Sequence, residues 1–364
     1  MRRTLLLQLF LAGAAAFGAW RAHRGAAPAT FVLPPAARAN EPPLFTSEFL
    51  PATPTKFVHA ATLAELPDHD LLAAWYGGTD EIDPDVNIYV SRLDHRSGRW
   101  SPPRAIENGR GAGVKSVGNP VLVADRNGIR LFFVAVIVGG WSGSTIYVTR
   151  STDDGAHWSP PRRIATSPFF NLGMLVRSPA VAYDDGTIAL PIYHELRRKW
   201  SALARVDADG RVVDVAHMAP NPLIQPWIVP MSPRDATAFF RWSAPTPGVV
   251  TFATTRDAGR HWSDFQSTGL VHRDSAVAAA LPFLIYNNAP ADRRKLAIVR
   301  LPSKSAFQLE DDPRPAFDGP IRREYSYPFL ITTSDGRYHV VYTWQRTKIR
   351  HVTFNAAWAR AALP

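Results

Sequence analysis

Side chains that can bind a carboxylate or move a proton recur at matching places along this sequence. One set stands where the first strand of each repeated unit is predicted to begin: His59, Asn119, Arg177, Gln225, Asp274 and Tyr325. A second set follows the predicted second strands: Asp80, Glu81, Trp141, His194, Glu195, Arg241, Asn287, Asn288 and Trp344 to Arg346. Arginine binds carboxylates bidentately, and tyrosine is a nucleophile when a base lies beside it. We therefore expect these residues to line one pocket.

The elements that position these side chains form a repeat. The segment Trp100 to Ile106 recurs almost unchanged as Trp158 to Ile164, and a third copy begins at Trp262. The distance along the sequence from the second copy to the third is about twice that from the first to the second, so one unit between them has lost its tryptophan. A period of about 53 residues gives six units over the body of the chain.

Each unit also carries a hairpin signal, in which a polar turn precedes an alternating apolar run. The turns are Asp68 to Asp70, Asn127-Gly128, Asp185-Gly186, Arg234-Asp235 and Asp335-Gly336. No part of the body shows a long helical periodicity. Six units of four short strands predict an all-β, six-bladed β-propeller over residues 55–358. The segment Leu44 to Leu50 is predicted to close the ring by adding a strand to the last blade.

Two turns follow the pattern S/T-x-D-x-G-x-x-W. They are Ser151 to Trp158 and Thr255 to Trp262, with a stretched version from Ser91 to Trp100. These turns resemble the Asp-boxes of the sialidase (neuraminidase) superfamily, and Asn171 to Glu195 resembles its distant predicted-neuraminidase branch. Asp and Ser of such a turn bind the local backbone, Gly takes the tight conformation and Trp packs between blades. We expect the boxes to hold the fold and to take no part in chemistry.

The resemblance implies a glycoside hydrolase for a terminal acidic sugar, with an arginine clamp, a tyrosine nucleophile activated by a glutamate, and an aspartate acid/base. By this resemblance Asp80 is the acid/base and Tyr325 the nucleophile. Arg241 and Arg293 match the clamp, and Arg177 is a candidate for its third member.

Two positions depart from the family pattern. His59 stands where the first clamp arginine is expected, and Gln225 stands where the activating glutamate is expected. Glu195 or Glu324 is then the candidate base. The further substrate-binding candidates are His194, Asn288 and Tyr327, the last predicted to share a strand face with Tyr325.

The departures leave two alternatives open. One is a polysaccharide lyase for uronate-containing glycans, because β-elimination needs a His or Tyr base and an arginine, without a tyrosine–glutamate pair. The other is a glycan-binding propeller without catalytic activity.

Composition narrows the remaining function classes. The chain has 364 residues, 46% of them hydrophobic, and no cysteine, which excludes disulfides, thiolate metal sites and cysteine nucleophiles. Half of the net charge of +10 comes from five arginines in the first 38 residues. With no basic block elsewhere, we expect no nucleic-acid partner. We also expect a monomer that binds carbohydrate, with no cofactor and no metal.

The N-terminal region has the sequence features of an export signal. Residues 4–20 are uncharged and flanked by arginines, so residues 1–25 are a signal peptide or a membrane anchor. Residues 26–54 contain seven prolines and read as an extended linker. We expect an exported protein that is periplasmic, secreted or anchored by residues 4–20.

Overall fold

Strands arranged around a ring account for most of the structure. A computed structural model describes residues 29–38, 41–125, 127–167, 171–244, 248–318 and 321–364, together with Gly13. In chain order the strands of the first half are β1 (Phe45–Phe49), β2 (Phe57–Glu65), β3 (Leu71–Gly78), β4 (Asn87–Asp94), β5 (Arg99–Trp100), β6 (Arg104–Asn108), β7 (Ser116–Asp125), β8 (Gly128–Val136), β9 (Ser144–Ser151), β10 (Arg162–Arg163), β11 (Met174–Val176), β12 (Val181–Ala182), β13 (Ile188–His194), β14 (Trp200–Val206) and β15 (Val212–Ala219). Those of the second half are β16 (Leu223–Pro230), β17 (Ala236–Trp242), β18 (Gly248–Thr255), β19 (Gln266–His272), β20 (Ala278–Ala280), β21 (Phe283–Tyr286), β22 (Lys295–Arg300), β23 (Ala306–Asp311), β24 (Phe317–Asp318), β25 (Ile321–Arg322), β26 (Tyr325–Thr332), β27 (Tyr338–Trp344) and β28 (Lys348–Phe354). A 3-10 turn spans Trp141–Gly143, and helix α1 spans Ala356–Ala362.

Six antiparallel sheets form the blades within the described part of the chain. Blades 1 to 5 are β2–β6, β7–β10, β11–β15, β16–β19 and β20–β23 in order, while β24 and β25 pair only with each other. Blade 6 contains β26, β27 and β28, with β1 as its fourth strand. The inner strand β2 packs beside both β7 and β26, so the first and last blades are neighbours. The predicted six-bladed propeller is confirmed.

Ring closure joins the two ends of the chain. Strand β1 pairs with β28 in a register that sets Phe45 opposite Phe354 and Phe49 opposite Arg350. The prediction that the segment from Leu44 closes the last blade is therefore confirmed. Full closure removes the free sheet edges that an open array of strands would expose.

The core follows from strands that are apolar on both faces. In β8, the side chains from Leu131 to Val136 are all completely buried. Facing blades cover both sides of such a strand, as they cover the parallel strands of layered folds. Each large apolar side chain buried in this way contributes about 1.5–3 kcal/mol.

The Asp-box turns are stabilised by local hydrogen bonds, as predicted. Ser151 Oγ accepts a hydrogen bond from the Gly155 amide at 2.9 Å, and Asp153 Oδ1 accepts one from the His157 amide at 2.8 Å. Trp158 Nε1 donates to the Gly155 carbonyl at 3.1 Å. Gly155 has φ of +87°, a conformation that a side chain would strain. These turns follow the third strands, at the end of the blades opposite the loops that follow the second strands.

Part of the predicted linker packs on the propeller. Phe31 forms a β-bridge with Tyr183, and their rings stack 5.2 Å apart. Thr30 donates through its amide and hydroxyl to the Asp184 carboxylate. Tyr183 and Asp184 belong to the inner hairpin turn of blade 3, so this strap (residues 29–38) starts on the Asp-box end of the ring. Apart from Gly13, the predicted signal or anchor at residues 1–25 lies outside the described residues.

Candidate functional site

A bulge recurs on the inner strands near the start of the blades. The ladder shifts register after His59, Gly118, Ile224 and Ser326 in blades 1, 2, 4 and 6. The next residue takes a left-handed conformation in each case, with φ of 51° at Ala60, 45° at Asn119, 51° at Gln225 and 54° at Tyr327. In three of the four blades a proline follows, and proline cannot donate to the ladder. A bulge of this kind turns a side chain away from the regular alternation.

Side chains from four blades meet as a result. Asn119 Nδ2 and Gln225 Nε2 both donate to the hydroxyl of Tyr193, at 3.4 and 3.1 Å. Gln225 Oε1 in turn accepts from Arg241 Nη1 at 3.2 Å. The same Nη1 donates to the Tyr327 hydroxyl at 3.1 Å. We call this group the central cluster. It also includes Arg177, Arg293, Asp274, His59, Glu81, Glu324 and Arg346, whose contacts are given below.

Three guanidinium groups surround the Tyr327 ring. The Cζ atoms of Arg177, Arg241 and Arg293 lie 5.2, 5.9 and 5.5 Å from its centroid. Arg241 is also held by Asp274, whose Oδ1 accepts from Nε at 2.5 Å. Arg293 Nη2 donates to the Asp274 carbonyl at 2.6 Å. Burial alone would lower the pKa of Arg241, but the neighbouring Tyr327 oxygen and the Asp274 carboxylate outweigh it and raise the pKa.

Arg177 is a buried cation with open hydrogen-bonding positions. It is 2% exposed, and its Nη2 donates to the Tyr327 carbonyl at 2.7 Å. Its Nε and Nη1 atoms have no hydrogen-bond partner within the described ranges. Burial lowers the pKa of Arg177 to about 10, so the group stays charged at neutral pH.

The other side of the central cluster is acidic. His59 Nε2 lies 3.5 Å from Glu81 Oε1 and 3.8 Å from Glu324 Oε1. Arg346 donates to Glu81 and lies 3.9 Å from Glu324. The His59 ring packs edge-on against Tyr327, with centroids 4.6 Å apart. Burial, reinforced by Arg346 and Arg293, holds the pKa of His59 well below its usual value, so the imidazole is neutral at neutral pH.

One cation of the central cluster lacks a carboxylate partner. Within the described part of the chain, Asp274 and Glu195 act on Arg241, Glu324 lies near Arg293, and Glu81 and Glu324 lie beside Arg346. No carboxylate of the described residues pairs with Arg177. Because charges are stable in a protein interior when they are paired, Arg177 favours an anionic ligand.

Several predicted site residues converge on this cluster and others do not. His59, Arg177, Gln225, Arg241, Arg293 and Tyr327 belong to it. Asp80 is exposed, and its carboxylate accepts from the amide of Glu81; it is Glu81 that contacts His59. Glu195 is half-buried close enough to act on the charge of Arg241, and its amide donates to the Gly173 carbonyl.

Tyr325 has different partners from Tyr327. Its hydroxyl donates to Asp312 Oδ2 at 3.1 Å and accepts from Gln345 Nε2 at 3.0 Å. The bulge between Ser326 and Phe329 separates the two tyrosines, so they do not share one face as the alternation predicted. The reacting hydroxyl expected at Tyr325 therefore faces Asp312, and the arginines face Tyr327.

His194 and Asn288 bind outside the central cluster. His194 stacks on Trp200 with ring centroids 5.1 Å apart, and its Nδ1 contacts the Arg198 carbonyl at 3.0 Å. Asn288 exchanges hydrogen bonds with Gln308 on the outer strand of blade 5. Its neighbour Asn287 is completely buried and donates to the carbonyls of Lys295 and Tyr325, so it ties the loop of Arg293 to blade 6.

Glu81 and Arg346 were expected only to line the pocket, with no specific role, and Tyr193 was not a candidate. A signal for the correct register was present, because Asn119, Gln225 and Tyr327 each precede a proline. Aligning the units on these X-Pro pairs sets Tyr327, and not Tyr325, level with Asn119 and Gln225. Asp312 and Gln345 carried no comparable signal.

A family model now accounts for the repeat. It describes the BNR repeat-like domain and matches residues 69–340. The chain belongs to this family. No curated protein matches the sequence.

Solved structures share the fold at low identity. A Hadza microbial sialidase, Hz136, is similar at a TM-score of 0.68 and 17% identity, over 85% of this chain and 67% of that one. A protein of unknown function from Dyadobacter fermentans has a TM-score of 0.65 and 14% identity, over 85% of this chain and 97% of that one. The NanB sialidase of Streptococcus pneumoniae has a TM-score of 0.61 and 11% identity, over 85% and 70%. At such identities the likeness establishes the sialidase-type propeller and leaves the reaction to the site.

Proposed function

We propose that this BNR-repeat protein is a glycoside hydrolase that acts on a terminal acidic sugar at the central cluster. The observation that carries the proposal is the Tyr327 hydroxyl, 3.1 Å from Arg241 Nη1 and surrounded by arginines. Arg177, Arg241 and Arg293 would bind the sugar carboxylate, since guanidinium groups match it in geometry and charge. The sialidase fold of the structural neighbours supports this substrate class.

In this proposal Tyr327 is the nucleophile. Its oxygen attacks the anomeric carbon as the glycosidic bond breaks, and its proton passes to Glu195, the candidate base, which lies close enough to act on the charge of Arg241. Arg241 donates to the tyrosine oxygen, whose charge changes in the transition state. Gln225 cannot act as a base, and its amide is engaged by Tyr193 and Arg241. Asp80 and Glu81 stand in the same loop, and one of them protonates the leaving group. Water then releases the sugar from the tyrosine, as in a retaining mechanism.

Paired tyrosine variants test the proposal. Hydrolysis of aryl α-sialosides and aryl uronides is measured for the unchanged protein, Tyr327→Phe and Tyr325→Phe. We expect Tyr327→Phe to lower kcat/KM by at least about a hundredfold, because the nucleophile is lost, and Tyr325→Phe to lower it only a few-fold. Equal losses in both variants, or undiminished turnover by Tyr327→Phe, would reject the assignment. Tight sugar binding without any product would favour a glycan-binding propeller.

A second candidate is a polysaccharide lyase for uronate glycans. It is favoured by the neutral, buried His59, whose Nδ1 has no hydrogen-bond partner in the described ranges, beside Tyr327. A neutral imidazole can remove the proton next to a uronate whose carboxylate the arginines neutralise. Elimination creates a double bond that absorbs in the near ultraviolet. Absence of this absorbance with all uronate polymers tested removes the lyase.

We also propose that the protein works outside the cytoplasm. The uncharged run of residues 4–20 and its flanking arginines support export. The strap from Ala29 begins on the Asp-box end of the ring, so an anchor preceding it would leave the site loops facing away. No helix in the described part of the chain is both long and apolar enough to cross a membrane, and residues 4–20 fall largely outside that part. Cell fractionation and N-terminal sequencing of the mature protein test this; an intact N-terminus in the soluble cytoplasmic fraction would contradict it.

A further inference from the structure

A cationic cavity opens beside the central cluster. It has a volume of about 460 Å³ and is lined by loops of blades 3 to 6. Its positively charged lining residues are Lys199, Arg273, Arg293, Arg322 and Arg323. Arg293 belongs to both sites, because its guanidinium also lies 5.5 Å from the Tyr327 ring centroid. The cavity therefore continues from the place where the terminal sugar is proposed to bind.

The three acidic residues in the lining pair with arginines. Asp274 binds Arg241 at 2.5 Å, and Asp292 binds Arg294 at 2.8 Å; neither arginine lines the cavity. Glu324, the third acid, lies 3.9 Å from Arg346 and 4.0 Å from Arg293. Within the described residues, none of these acids forms an ion pair with Lys199 or Arg322.

Lys199 stands on the blade 3 side of the cavity. Its ammonium donates to Ser243 Oγ at 2.7 Å, and both residues line the cavity. Arg322, on the blade 6 side, is exposed. An ammonium group with further donors and an exposed guanidinium can each take an oxyanion without breaking an existing carboxylate pair.

We propose that this cavity binds a second anionic group of the substrate, an oxyanion carried by the sugar next to the terminal one. The inference rests on the proposed function, since that function orients the glycan. A volume of this size accommodates about one sugar ring, and Lys199 and Arg322 select a ring bearing a sulfate ester or a carboxylate over a neutral one. The preferred substrate is accordingly a glycan with acidic groups on two consecutive sugars.

The test compares ligands that differ only at the second sugar. Calorimetric titration uses the full chain carrying Tyr327→Phe, so that nothing is cleaved. The probes are 3′-sialyllactose, 3′-sialyllactose sulfated on its galactose, and a lactose carrying two consecutive sialic acids, with chondroitin disaccharides with and without sulfate on the second sugar as the uronate series. We expect the doubly acidic probes of one series to bind at least about tenfold more tightly than the singly acidic one, as for one charge-assisted contact. The sulfate and carboxylate arms show which oxyanion is preferred.

Variants assign the preference to the cavity. Lys199→Ala combined with Arg322→Ala is expected to reduce it to about twofold or less, while binding of the singly acidic probe is kept. Arg256→Ala removes an exposed arginine from an Asp-box turn on the opposite end of the blades and is the matched control. Equal affinity for singly and doubly acidic probes, or a preference that survives the double variant, overturns the inference.

Failure of the proposed function has a different signature. In that case Arg241→Ala leaves binding of the singly acidic probe unchanged, or that probe does not bind at all. A sulfated lactose without a terminal acid then tests the cavity directly. Binding that depends on Lys199 and Arg322 retains the oxyanion site, and absence of such binding rejects it.

Discussion

Arg177 is buried beside Tyr327 and Phe329, and among the described residues it has no carboxylate partner of the kind that holds Arg241 and Arg346. Its Cζ lies 5.2 and 5.5 Å from the two ring centroids, and two of its nitrogens lack partners in the described ranges. Cation–π contacts offset only part of the cost of removing a guanidinium from water. A buried guanidinium of this kind lowers the stability of the free protein and is available to pair with an anionic ligand, as expected of a binding-site residue.

We predict that Arg177→Met raises stability and lowers function. Removing an uncompensated buried charge should increase the free energy of unfolding by about 1–3 kcal/mol in urea titrations. The same variant should weaken binding of an acidic sugar by about tenfold, because one donor to the carboxylate is lost.

Arg130→Met is the control for this prediction. Arg130 is also buried, but its Nη2 binds Asp125 at 2.6 Å. Its removal leaves that carboxylate without its partner and should lower stability. A similar loss of stability in both variants would contradict the interpretation of Arg177.

At the scale of elements, the Asp-box turns and the bulges have different structural roles. The boxes fix the end of the blades opposite the site, and the bulges present Asn119, Gln225 and Tyr327 to one another. Damage to a box is therefore expected to affect stability and to leave the site intact.

We predict that Asp257→Ala lowers the free energy of unfolding by about 1–2 kcal/mol. Asp257 Oδ1 accepts from the His261 amide at 2.9 Å and from the Thr255 hydroxyl at 2.9 Å. Asp264→Ala, at an exposed position just after the same box, should change stability by less than about 0.5 kcal/mol. Urea titrations measure both, and a large fall in kcat/KM for Asp257→Ala at unchanged folding would show that the box reaches the site.

The alternating strands could be predicted from the sequence, whereas the bulges could be predicted only in part. Alternation along a strand assigns faces correctly until one residue is inserted, after which every later assignment reverses. The resemblance assigned the nucleophile to Tyr325, and alternation predicted that Tyr327 shares its face; the bulge after Ser326 separates the contacts of the two tyrosines. The proline after Tyr327 marks the insertion, but its consequence for the contacts of each tyrosine depends on the neighbouring blades.

At the scale of the whole molecule, buried histidines make the ring sensitive to acid. Burial lowers the pKa of His272 to about 4 and that of His339 to about 3, and it holds the pKa of His59 well below the usual range. The unfolded chain binds these protons near pH 6.5, whereas the folded chain stays neutral until lower pH. The stability they confer is therefore complete above about pH 6.5 and is lost as the pH falls towards about 3.

We predict that the free energy of unfolding falls by several kcal/mol between pH 7 and pH 4, measured in urea titrations. His272 is completely buried, and neither ring nitrogen has a hydrogen-bond partner in the described ranges. His272→Leu should therefore flatten this pH dependence without loss of stability at pH 7. His217→Leu, at an exposed position, is the control and should leave the slope unchanged. An unaltered slope in His272→Leu would show that other groups cause the acid sensitivity.

Repeat spacing, hairpin turns and Asp-boxes were enough to specify the all-β ring, its six blades and its closure by the segment near Phe45, because these are local signals repeated along the chain. The composition of the site was also largely visible, since Arg177, Arg241, Arg293, Gln225, His59 and Tyr327 were all candidates. Which of these side chains contact one another was decided only by the tertiary structure, when the blades packed into a ring. Arg241 meets Tyr327 across 86 positions of sequence, and Arg346 meets Glu81 across 265. Such contacts arise from the packing of one blade against the next, which no local pattern encodes.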